Sequence, residues 1–318
     1  WAANGSLFLV DASKDRAVVE YDRQWDGMET GPSSLWLVDL NGGDATRFKA
    51  ARKQFVQAGG DYYVAELVGD HDVLQSVVAG QFSTADEWKL FEPDAESESY
   101  GGVLLDGSRA VYCTPDGLAI YGLPERAIRK TVPVSEAVAF LDAVGGKYAL
   151  TCLESGEALV NLDDGSVSAL PAAPNDFTPE YLGAVLSDNA LITSAAIFGQ
   201  NEISQAILIL DLPGQTWRVL ADYGRTSGIL VSGGVGVYGA DDNFVLVSRI
   251  EQFWKESYEL VDRATGERTI VATNLPVVPS IPLLRDGRVF WIDQTASVIR
   301  SFDSATHETR AYSLNIRD

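Results

Sequence analysis

Between residues 34 and 48 the order of apolar and polar positions writes a β-hairpin. Leu35 to Leu40 is apolar except at Asp39, Asn41-Gly42-Gly43 supplies the backbone freedom of a tight turn, and a shorter mixed strand returns. The same phrase recurs six more times. Residues 88–93 are its poorest copy. Better copies are 118–123 followed by 127–134, 158–162 by 167–170, 206–212 by 217–220, 258–262 by 268–272, and 298–303 by 309–314. Aligned on Asp39, Glu92, Gly122, Asn161, Asp211, Asp262 and Asp303, the copies are spaced by 53, 30, 39, 50, 51 and 41 residues, a mean of 44. A β-patterned period of roughly 40–50 residues is the length of one four-stranded propeller blade.

Two further strand candidates precede each hairpin, as at 7–10 and 17–21, at 102–105 and 109–113, and at 281–284 and 288–293. One unit is therefore strand A, short turn, strand B, variable loop, strand C, tight turn, strand D. Seven units fill residues 1–318 and predict an all-β fold, a single seven-bladed β-propeller domain of four-stranded antiparallel blades. Six or eight blades are the alternative counts, and a β-sandwich or two all-β domains the alternative architectures. The segment Ala206-Ile207-Leu208-Ile209-Leu210 shows no alternation, so both faces of its sheet need cover. Each buried Leu or Ile contributes about 1.5–3 kcal/mol, and stacking blades in a ring covers both faces. Arg47, Lys49, Arg129, Lys130, Arg218, Arg268 and Arg310 fall where strand D meets solvent, and charge there blocks edge-to-edge pairing. The first and last units each own four strands. Ring closure is expected to rest on face packing of blade one against blade seven.

The phrase Leu35-Trp36-Leu37-Val38-Asp39-Leu40-Asn41-Gly42-Gly43 resembles the repeat of TolB-like and prolyl-oligopeptidase-type propellers, where an apolar strand C, an Asp and a Gly-rich turn mark each blade. The pattern extends over the whole chain and is clearest in blades one, five, six and seven. The resemblance implies a binding scaffold, often of the bacterial envelope, or the non-catalytic lid of a peptidase. The second option requires a G-x-S-x-G nucleophile elbow, which the sequence lacks. Other propeller marks are also missing. Trp25-Asp26 sits in a loop rather than at a blade end, and Asp211-Leu212-Pro213-Gly214-Gln215-Thr216-Trp217 departs from a sialidase-type box by one inserted residue and reads as a turn. Asp39 to Asp44 reads as a hairpin turn rather than a calcium loop.

Net charge is −21, which argues against nucleic acid and against an anionic membrane surface. The uncharged stretch at 226–240 is too short and too Gly-rich to span a bilayer, and no integral membrane segment is expected. The chain starts at Trp1 rather than Met, which suggests a removed N-terminal signal or anchor and a cell-envelope or secreted location. Cys113 and Cys152 both fall near the end of strand B, in blades three and four. Sheets stack about 10 Å apart, too far for a disulfide, so two free buried thiols are expected.

Histidine supply limits the chemistry. His307 is expected in a C–D turn and His71 in the A–B turn of blade two, so neither a His-based nucleophile nor a multi-His metal site can be built. No catalytic residue, metal or cofactor is assigned. The B–C loops vary more. They read as short in blades three, four and seven, and as long and aromatic in blades one, two, five and six. They share one face with the D–A connections, read at 49–60, 171–180 and 222–225. Loop aromatics and Arg dominate contact sites. The expected binding surface is therefore Trp25, Phe82, Trp88, Phe198, Phe253 and Trp254, flanked by Asp26, Gln200 and Arg225. The bland alternative makes these aromatics plugs over the ends of the blade core. The leading expectation is a non-catalytic propeller that binds a protein, peptide or glycan through the B–C face. The alternatives are a carbohydrate-active hydrolase or lyase using carboxylates in the central funnel, and a structural spacer in a surface assembly.

Overall fold

A computed structural model describes residues 6–22, 33–51, 53–68, 74–92, 102–199, 202–227, 234–251, 255–276, 281–314 and 316. Seven separate four-stranded antiparallel sheets make up the fold, each from four consecutive strands. The blades span residues 6–51, 53–91, 103–133, 138–169, 178–227, 235–276 and 283–313. The first strands of successive blades touch one another all the way round, the last meeting the first, so the sheets form a closed ring about an axis. Among the described residues the helical content is a single 3-10 turn, Pro174–Asp176, and no helix is long and apolar enough to cross a membrane.

Apolar seams between neighbouring blades form the core. Leu208 and Leu210 face blade four while Ile207 and Ile209 face blade six, which is why strand C of blade five carries no alternation. Among the described residues no strand is exchanged to clasp the ring. Leu7, Val19 and Trp36 of blade one pack directly on Phe290, Ile292 and Ile299 of blade seven. Gln294 Nε2 donates to the carbonyl of Leu7 at 2.6 Å across the same seam.

Blade two differs from the expected register by one strand. Its strands are Lys53–Gly59, Tyr62–Val68, Leu74–Gln81 and Asp86–Phe91. The segment expected as strand C is the outer strand D, and much of the supposed D–A connection at 49–60 is strand A. Two physical facts explain the shift. Strand A lines the axis and needs little apolar surface, so Lys-Gln-Phe-Val-Gln-Ala-Gly does not look like a core strand. Strand D instead packs aromatics on blade three, with Phe91 stacked on Tyr112 at 4.5 Å between ring centroids. A backbone signature shows the correct register. The residue after strand C returns its N–H to a carbonyl of the A–B turn in every blade: Leu40 to Asp15, Phe82 to Asp61, Leu123 to Ser108, Leu162 to Lys147, Leu212 to Asn189, Arg263 to Asn243, and Ser304 to Gly287. With Gln81 in place of Glu92, the first two spacings become 42 and 41 residues.

Two loops expected to be long are instead strand. In blade five, strands B and C run as Ala190–Phe198 and Glu202–Asp211, and strand D as Thr216–Ser227. In blade six, strands B and C are Phe244–Glu251 and Lys255–Asp262. Both sheets extend further toward the B–C face than those of blades three and four. The two cysteines are free and sit next to last in their B strands, as expected, but each is only partly buried, because the short B–C turn beyond gives little cover.

Candidate functional site

The structure divides the expected contact residues. Trp25, Asp26, Gln200, Phe253 and Trp254 lie outside the described residues, as does His71. Phe82 and Trp88 do not belong to the B–C face, because the register shift carries them to the C–D half of blade two. Phe82 follows strand C and is a core plug, 4 % exposed, ringed by Phe48 and Tyr63 with the Arg16 guanidinium over it at 5.3 Å. Trp88 lies on strand D, in the seam with blade three, under the guanidinium of Arg126 at 4.3 Å. Phe198 and Arg225 remain at the B–C end. Phe198 closes strand B of blade five and is 67 % exposed. Arg225 lies near the end of strand D rather than in a connection, and its Nη1 meets Glu202 Oε2 at 3.4 Å on the surface.

Phe140 joins them, although the sequence pattern does not single it out. It is the third residue of strand A in blade four (Val138–Gly145), at the same end of the ring, and is 47 % exposed. This strand is bulged on both sides of Leu141, so Ala139 and Asp142 have no partner in strand B. A bulge re-aims the side chains around it. Glu136, Glu154, Glu180 and Glu202 surround this end of blades four and five, which makes its polar surface acidic.

The bulge also places Asp142 beside Glu157, the second residue of strand C (Gly156–Asn161). Asp142 Oδ2 and Glu157 Oε2 are buried and receive no N–H or O–H donor. No donor satisfies these two oxygens, and a neighbouring like charge in a buried site favours a proton on one of the carboxyls. Burial first, then the charge and hydrogen bond of Glu157, push Asp142 up to about 7. Cys152, paired with Glu157 across the ladder, is raised by burial and by the same carboxylate. Tyr181, on strand A of blade five, is pushed up to about 12 by burial and then by Glu157.

Blade six repeats the plan. Its strand A (Val235–Ala240) bulges at Tyr238, and Glu256 is again the second residue of strand C. Ser248 Oγ donates to Glu256 Oε1, and Tyr258 Oη donates to Oε2 at 3.3 Å. Burial raises the Glu256 carboxyl, against these two hydrogen bonds. The two acidic seams differ because Glu256 has hydroxyl donors where Glu157 faces another carboxyl and the Cys152 thiol. Among the described residues no group of three or more His, Cys, Asp or Glu could hold a metal ion.

No protein-family model matches the chain. No curated protein matches it. Solved structures do match. A prolyl endopeptidase superposes with a TM-score of 0.60 at 9 % identity, over 98 % of this chain and 50 % of the other. An oligogalacturonate lyase solved with manganese gives 0.51 at 15 % identity, over 93 % and 84 %. An oligogalacturonate lyase from Vibrio parahaemolyticus gives 0.51 at 12 % identity, over 97 % and 97 %. At these identities the likeness is one of fold, and it places the chain among β-propellers.

Proposed function

We propose that the chain is a non-catalytic binding propeller that takes a basic peptide or protein segment on its B–C face, over blades four and five. The observation that carries this is the pairing of two exposed aromatics, Phe140 and Phe198, at one end of adjacent blades within an acidic rim. Exposed aromatics mark contact surfaces, and their faces attract cations. Carboxylates around them steer a positively charged partner and repel a negative one. The net charge of −21 acts in the same direction at longer range. The test is capture of Lys/Arg-rich peptides from an array by immobilised protein at 50 and 300 mM salt. Wild type should retain them, more weakly at the higher salt, and the double variant Phe140→Ser, Phe198→Ser should lose at least tenfold in affinity at an unchanged melting temperature. Equal retention by the double variant would remove the B–C face as the contact surface.

A second reading, carbohydrate cleavage, is favoured by one observation, the buried neighbouring carboxyls of Asp142 and Glu157 at the same end of the ring. The fold neighbours named as oligogalacturonate lyases suggest a substrate to try. Turnover of oligogalacturonate by wild type, abolished by Asp142→Asn, would favour this reading over the first.

A further inference from the structure

On the opposite face from the B–C loops, the axis opens into a cavity of about 590 Å³. Its wall is built from the A–B ends of five blades: Gly59 to Tyr62 in blade two, Leu105 to Ser108 in blade three, and one residue each from blades five, six and seven. The volume is that of a small-molecule site. The wall is also stiff, because each turn is tied to another blade. Arg16 Nη2 donates to Gly60 O at 2.7 Å, and Gln57 Nε2 to Val103 O at 3.0 Å. Arg109 reaches Gly146 O, and Gly287 N donates to Asp241 Oδ2 at 3.1 Å.

The polar groups of the wall are unequally committed. Asp61 is engaged by Ser83 and Gln81, which hold its carboxyl below the usual range against the effect of burial. Asp106 is held by Arg109 at 2.7 Å. Arg285 is the lining cation, and only part of its fork is used: Nε donates to the buried Asp11 at 3.2 Å and Nη1 to Leu284 O at 3.0 Å. Its Nη2 has no partner among the described residues, and neither do the hydroxyls of Tyr62 and Ser108, which also line the cavity. The cavity thus has spare donors, one of them a guanidinium edge suited to two oxygens of one carboxylate. The acidity of the whole molecule does not forbid an anion here, since charges beyond about 8–10 Å are largely screened, and Arg285, Arg109 and Arg16 stand against Asp11, Asp106 and Asp61.

We propose that this cavity is a binding site for a small polyhydroxylated carboxylate of monosaccharide size, a uronic or aldonic acid. Arg285 takes the carboxylate, and Tyr62, Ser108 and the turn carbonyls take the hydroxyls. The site is independent of the B–C face, so variants at Phe140 and Phe198 leave it intact. Calorimetry with D-glucuronate, D-glucose and acetate tests it. Glucuronate should bind, with the other two at least tenfold weaker, which separates a sugar-acid site from a simple anion or a simple sugar site. Arg285→Gln should weaken glucuronate at least tenfold. Because that change also removes the contact with Asp11, a second variant leaves Arg285 alone. A Cβ on Gly59 meets Leu105 Cδ2 at 3.5 Å and Gly107 O at 3.6 Å, ordinary contacts, and Gly59 lines the cavity, so Gly59→Leu adds bulk at its wall. It should abolish glucuronate binding while the melting transition stays cooperative. No glucuronate binding to wild type, equal binding of glucose or acetate, or undiminished binding to Gly59→Leu would each overturn the proposal.

Discussion

Asp142 is a carboxyl that burial and a neighbouring carboxylate move well away from its behaviour in water. A carboxyl raised above its unfolded value binds its proton more tightly in the folded state. Stability is then highest at low pH and falls as pH rises from about 4 through about 7, where Asp142 gives up its proton. Above that point two buried like charges face each other. Asp142→Asn should remove the loss, because the amide donates to an ionised Glu157 without needing a proton. Urea denaturation at pH 5 and pH 8 checks this: wild type should be less stable at pH 8, and the variant should show a much smaller difference. Phe82 gives the contrasting case of an aromatic whose residue type suggested contact and whose position makes it core. Its neighbour Asp61 accepts its N–H as part of the blade's closing bond.

Strand A of each blade is the element that sequence patterning describes worst. It lines the axis, shares its surface with other A strands, and in five blades is broken by a register shift. Periodicity of two fails there, since a bulge slips every later side chain to the other face. Strands B and C are legible because two seams bury them from both sides. Where neighbouring A strands converge, backbone meets backbone: a Cβ on Gly145 would lie 1.8 Å from Leu186 O. Gly145→Ala should therefore cost about 1–3 kcal/mol through forced separation of blades four and five, read as a lower urea midpoint at an unchanged slope. A midpoint equal to wild type would mean that the strands are not in close contact.

The ring as a whole is held by seven seams of the same kind, and among the described residues the seam between first and last blades has no shared strand to strengthen it. Phe290, 1 % exposed, sits in that seam, and Ile207, fully buried, in the seam between blades five and six. Phe290→Ala should cost about 3–5 kcal/mol and Ile207→Ala about 2–5 kcal/mol. Both should keep a single unfolding transition by circular dichroism and Trp fluorescence. An early partial transition confined to Phe290→Ala would show that packing alone closes the ring less firmly than its other seams. The hydrogen bond from Gln294 and the pair Asp11–Arg285 are the polar contacts that accompany this closure.

Architecture was written along the chain, because a two-faced apolar strand followed by a turn is a local pattern and seven copies of it admit few closed arrangements. Blade number, ring closure without a clasp, free cysteines and turn chemistry were all legible at that level. The location of the surface groups was not. Whether Phe82 is a plug, Phe140 a contact, or Asp142 a proton holder depends on a one-strand register in blade two, on bulges in the inner strands and on how far blades five and six extend. Those are set by packing between segments distant in sequence, and no local pattern of residues encodes the distances over which such packing acts.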